Sequence, residues 1–129
     1  EVRRNFLSPM LLAFDQPLPD STIGQRTESN IPAQALILMN DPFVAEQATE
    51  WGKRLALDLE RTQQARIATM FETALGRRPR GAELERIMAF AEEQAAAYGI
   101  RPEATWKDYR VWRDLCHVMY TLKEFVYIG

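Results

Sequence analysis

Val44, Ala48, Trp51, Leu55 and Leu59 fall four, three, four and four residues apart. That spacing puts all five on one side of a helix but splits them between the two faces of a strand. The same rhythm returns in Ile67, Met70, Phe71, Ala74 and Leu75, and again in Leu84, Ile87, Met88, Ala91, Ala95 and Tyr98. No stretch alternates apolar and polar residues long enough to build a sheet, and no unit repeats at a fixed period. The chain therefore reads as all-α, a small bundle of four to five helices with an extended irregular N-terminal arm.

Proline and glycine mark the joints. Ser8-Pro9, Gln16-Pro17, Leu18-Pro19-Asp20-Ser21 and Ile23-Gly24 fall within residues 1–31, where lost amide donors and restricted backbone angles disfavour a helix. This arm carries Phe6, Leu7, Met10, Leu11, Leu12 and Phe14, too much apolar surface for a free tail, so it is expected to pack along the helical body, 32–129. The body opens with a short helix from Pro32 to the Asn40-Asp41-Pro42 turn. A second over 42–59 starts from Asp41 as N-cap with Pro42 at its first position, and Glu50 with Arg54 is expected as an ion pair on its wet side. Thr62 caps a third helix and Gly76 ends it; a fourth runs over 82–98 to Gly99. A single last helix over 104–122 places Trp106, Tyr109, Trp112, Cys116 and Met119 on one side, widened by Leu115 and Leu122, followed by a docked extended tail from Glu124 to Ile128. The whole is one helical domain, or the C-terminal piece of a larger one, since the chain opens on Glu1 in mid-pattern.

Charge narrows the function classes. Sixteen Lys and Arg against eighteen Asp and Glu leave a net charge of −2, without the broad basic face that nucleic acid demands. The cluster Arg77-Arg78-Pro79-Arg80 reads as a solvated connector. No apolar run approaches the roughly 18 residues that span a bilayer. Cys116 is the one cysteine, so no internal disulfide forms.

Leu115-Cys116-His117 resembles the end of a haem-attachment motif, yet Arg113 stands where the first cysteine belongs. Adjacent helical residues also point about 100° apart, a poor grip for one metal ion. Cys116 reads as a buried structural thiol and His117 as a hydrogen-bonded or exposed neighbour. A nucleophile would need His117 as its base, and nothing in the spacing brings Ser8, Ser21 or Ser29 to it. Glu92-Glu93 and Glu83-Glu85 read as wet-face carboxylates, and the helix aromatics as core rather than a sugar platform. Phosphate-cradling glycine loops are absent. The remaining polar group is Arg26, Asn30, Gln34, Asn40 and Asp41, where arm, first helix and second helix join. These residues are read as caps that satisfy backbone donors, the alternative being the lining of a cleft shared with preceding chain.

Val2-Arg3-Arg4-Asn5-Phe6-Leu7-Ser8-Pro9-Met10, Phe14-Asp15, the run Arg26 to Leu36 and Leu38-Met39-Asn40-Asp41-Pro42-Phe43-Val44 together resemble the C-terminal half of a planctomycete-type domain of unknown function. Leu75-Gly76-Arg77-Arg78-Pro79 and Leu115-Cys116-His117, leading into the segment Lys123 to Ile128 that contains Glu124, are similar to its later motifs in the same order. Arg80 stands where those domains usually place Thr, which removes the expected side-chain cap of the fourth helix. The resemblance implies the end of a large exported, extracytoplasmic protein, often with a c-type cytochrome domain nearer its N-terminus. It carries over no catalytic residue and no cofactor for this fragment.

Two functions follow as expectations. One is a non-catalytic helical module that supports assembly or partner contact, its partners being upstream domains, another protein or a second copy. The other is part of an enzyme, acting on polysaccharide-derived material, whose active site is shared with preceding residues and receives Arg26, Asn30 or Asp41. Gln34, Asn40 and Glu124 complete the set of structural or cleft residues.

Overall fold

A computed structural model describes residues 33–125, with side-chain surroundings for 37–123; the arm and the last four residues lie outside the described residues. Five α-helices and one 3₁₀ helix follow in order: α1 Ala33–Asn40, α2 Pro42–Leu57, α3 Gln63–Leu75, α4 Gly81–Tyr98, the 3₁₀ helix Pro102–Lys107 and α5 Tyr109–Phe125. Among the described residues there is no strand.

The helix ends follow local chemistry. Asp41 Oδ1 accepts the Phe43 amide at 2.8 Å to start α2, and Thr62 Oγ1 accepts the Ala65 amide at 3.1 Å to start α3. Gly76 and Gly99 close α3 and α4 at φ of 76° and 79°, a left-handed conformation that a Cβ would disfavour. Arg80 begins α4 without a side-chain acceptor. Glu83 supplies the missing half of the cap, its Oε1 accepting the Arg80 amide at 2.9 Å.

Helix α5 is the hub. It packs against α1, α2, α3, α4 and the 3₁₀ helix, and Val111, Trp112, Leu115, Cys116, Val118, Met119 and Leu122 are all buried. The expected side, widened by Leu115 and Leu122, is buried, and Val111 and Val118 extend burial nearly all round, because neighbours enclose the helix from several directions. Tyr109, assigned inward from spacing, is 38% exposed at its start. Fully burying a large apolar side chain such as Phe71, Ile67 or Leu115 contributes about 1.5–3 kcal/mol each.

Four further expectations are corrected. The last helix is broken at Asp108, whose extended backbone (φ −98°, ψ 126°) and Oδ1, accepting the Arg110 amide at 2.9 Å, restart the chain as α5. Helix α2 stops at Leu57 because Asp58 leaves helical geometry (φ −84°, ψ 72°), so Leu59 drops out of the stripe and is 59% exposed. Glu124 and Phe125 continue α5 as helix rather than extended tail, while Val126 to Ile128 lie outside the described residues. Glu50 lies 4.0 Å from Lys53, one turn away, instead of pairing with Arg54.

Candidate functional site

At one edge of the bundle α1, α2 and α5 converge on a shallow groove of about 210 Å³, lined by Leu38, Phe43, Val44, Gln47, Tyr120 and Lys123. The Asn40-Asp41-Pro42 joint turns α1 into α2 here, so Leu38 and Phe43 reach the same groove from different helices. His117 secures the joint from below: its Nε2 lies 3.2 Å from the Leu38 carbonyl oxygen. A carbonyl only accepts, so this bond puts the ring proton on Nε2. Trp51 meets Tyr120 edge to face at 5.4 Å between ring centroids, holding the groove wall against α2. Phe43, at 64% exposed, leaves apolar surface open to solvent on this edge, and Ile37 of α1 is 66% exposed.

The residues singled out from sequence divide. Asp41 and Asn40 stand at the joint beside the groove, Asp41 as the α2 cap. Glu124 follows the groove residue Lys123 in the last turn of α5, and Gln34 lies in the first turn of α1. Arg26 and Asn30 lie outside the described residues.

Two buried polar clusters escaped sequence reasoning. Asp114 is fully buried, its Oδ2 accepting from Gln94 Nε2 at 2.7 Å and Tyr98 hydroxyl at 2.6 Å, and its Oδ1 from Arg113 Nε at 3.2 Å. Arg113 Nη2 donates in turn to the Tyr98 oxygen at 2.6 Å. Burial, with the hydrogen bond to Asp114, pushes the Tyr98 phenol up to about 12. A proton so firmly held suits a fixed donor rather than a general base. The cluster joins α4 to α5; the i, i+4 spacing of Gln94 and Tyr98 on α4, with Tyr98 already in the inward stripe, was its signal in the sequence.

Arg66 forms the second cluster, donating to Leu55 O at 2.8 Å and Trp106 O at 3.2 Å with its guanidinium 4.8 Å from the Trp112 ring. Trp112 Nε1 donates to the same Trp106 carbonyl at 3.0 Å, so the end of α2, α3 and the 3₁₀ helix are bound together. Burial lowers the Arg66 pKa from its ordinary value. Glu83, read as a wet-face carboxylate, is only 7% exposed, because Arg77 clamps it through Nη1 at 2.8 Å and Nη2 at 3.0 Å. Burial alone would raise its carboxyl; those bonds and the Arg80 amide outweigh it and hold the group below its ordinary 4.5. The basic connector is thereby engaged, Arg78 pairing with Glu72 at 3.0 Å.

Cys116 is buried, and desolvation pushes its thiol well above the ordinary range, the opposite of an activated nucleophile. Arg113, at the place of the missing haem cysteine, is spent on Tyr98 and Asp114. Among the described residues no three His, Cys, Asp or Glu side chains are grouped to hold a metal ion, and no helix is long and apolar enough to cross a membrane.

With this geometry in hand, comparison with known proteins gives one match. The model of a family described as a protein of unknown function, PSD1 (DUF1553), fits residues 1–91. No curated protein and no solved structure matches the chain.

Proposed function

The chain belongs to the PSD1 family of proteins of unknown function (DUF1553), and from that premise we propose that it is a non-catalytic helical module supporting assembly or partner contact within a larger protein. The reading is carried by the groove between α1, α2 and α5, where Phe43 holds apolar surface in solvent beside Leu38, Val44 and Tyr120. Exposed apolar side chains gathered around a concavity favour contact with another surface over isolated solvation. The buried polar groups speak the same way: Asp114, Arg66 and Glu83 are consumed in joining helices. The partner fits the description of an upstream domain of the same polypeptide, and the setting we propose is an extracytoplasmic, redox-linked protein whose haem, where present, is held elsewhere.

The test is a pull-down from the cell-envelope fraction with the full-length protein and with Phe43→Glu. Loss of specific partners, or of protection of the upstream domains from protease, supports assembly; identical partners and protection overturn it. The competing reading places an active site at the α1–α2 joint, shared with preceding residues. It requires Ala at Arg26, Asn30 or Asp41 to abolish an activity of the full-length protein while its melting temperature stays nearly constant.

A further inference from the structure

A second cavity lies away from the groove, between the last turns of α4 and the 3₁₀ helix. It encloses about 310 Å³, at the lower end of small-molecule sites, and is lined by Ala95, Ile100, Pro102 and Trp106 together with Thr105 and Glu92. Thr105 is 2% exposed, yet its hydroxyl has no hydrogen-bond partner among the described residues. A buried hydroxyl left without a partner is costly, and one that lines a cavity is satisfied by whatever enters. Glu92, by contrast, is exposed and forms no ion pair with any described residue. The C-terminal end of the 18-residue helix α4 adds its partial negative charge to the same cavity.

We propose that this cavity binds a small aromatic amine, with the ring against Trp106, Ile100 and Pro102, the ammonium at Glu92, and a hydrogen-bonding group at the far end on the Thr105 hydroxyl. The apolar walls exclude a polyol, and the carboxylate with the helix C-terminus excludes an anion. The different burial of Thr105 and Glu92 orders the ligand, neutral end inward and charge at the mouth.

Tyramine is the probe, with 2-phenylethylamine lacking the inner hydroxyl and 4-hydroxyphenylethanol lacking the charge. Each is titrated into the isotope-labelled chain while the amide signals of Ile100, Thr105 and Trp106 are followed. Tyramine saturates with a Kd on the order of 1 mM, as suits so few heavy atoms. Removing either polar end weakens binding about fivefold. In Thr105→Val the advantage of tyramine over 2-phenylethylamine disappears, and in Glu92→Gln its advantage over 4-hydroxyphenylethanol does. The proposal is overturned if the shifts do not saturate, if they centre elsewhere, or if the three compounds bind the unaltered chain equally. Because that last comparison needs no substitution, a variant that fails to fold leaves the test intact.

Discussion

Gly52 of α2 rests directly on the backbone of Arg113 in α5: a Cβ at Gly52 would lie 2.6 Å from the Arg113 amide nitrogen and 2.8 Å from its Cα. Both obstacles are main chain, so no side chain can swing aside to make room. Gly52→Ala raises intrinsic helix propensity by about 1 kcal/mol, yet the two helices must part. A net destabilisation of about 1–3 kcal/mol is expected, measured as a shift in urea midpoint at constant slope. An unchanged or raised midpoint would show that the helices are not in contact there.

Glu83 makes stability depend on acid. Its folded carboxyl sits below the ordinary 4.5, so its contribution is complete above that value and is lost as pH falls through the folded pKa. Glu83→Gln is expected to cost about 1–2 kcal/mol at neutral pH, through the cap and the Arg77 clamp, and to flatten the decline in stability on acidification. Thermal melts of both chains between neutral pH and pH about 3 check this.

Asp114 is the buried charge on which α4 and α5 agree. Asp114→Ala leaves Gln94, Tyr98 and Arg113 without their acceptor and is expected to destabilise by about 3–5 kcal/mol. Tyr98→Phe removes one hydroxyl and costs about 1 kcal/mol. Because the Tyr98 pKa is raised to about 12, its contribution is whole below the ordinary tyrosine value of 10.0 and is lost as pH rises through the folded pKa. Ultraviolet titration of the tyrosines should lose its step near pH 12 in Tyr98→Phe.

Cys116 should be inert while the chain is folded. A buried, protonated thiol reacts with maleimide only through opening of the bundle, so labelling should follow the unfolding equilibrium as urea is added. Fast labelling of the native chain would show that α5 is not enclosed.

Phe43→Ser should leave stability within about 0.5 kcal/mol, since its side chain stands in solvent. A large loss would mean that Phe43 already belongs to this chain's own core.

Apolar spacing and capping chemistry were enough to read the helices: Asp41, Thr62, Gly76 and Gly99 stand at the ends their residue types imply. Sequence alone failed where a side chain outside the helix pattern decides the outcome. The burial of Glu83 depends on Arg77 folding back from the connector, and the break at Asp108 depends on a local side-chain bond that competes with the helix. The groove was legible only as a joint, because Asn40 and Asp41 mark the turn but Tyr120 arrives from a distant helix. Cys116 and His117 were legible as a buried structural thiol and a hydrogen-bonded neighbour, and the structure uses the first as filling and the second to hold Leu38.

That α5 is the hub has a consequence for biosynthesis. Translation delivers it after every helix that leans on it, so 33–108 leave the ribosome with their inner faces still lacking a common support. The decisive step in assembling the bundle therefore waits for 109–125, and until they emerge the nascent chain is a natural client for chaperones that shield apolar surface.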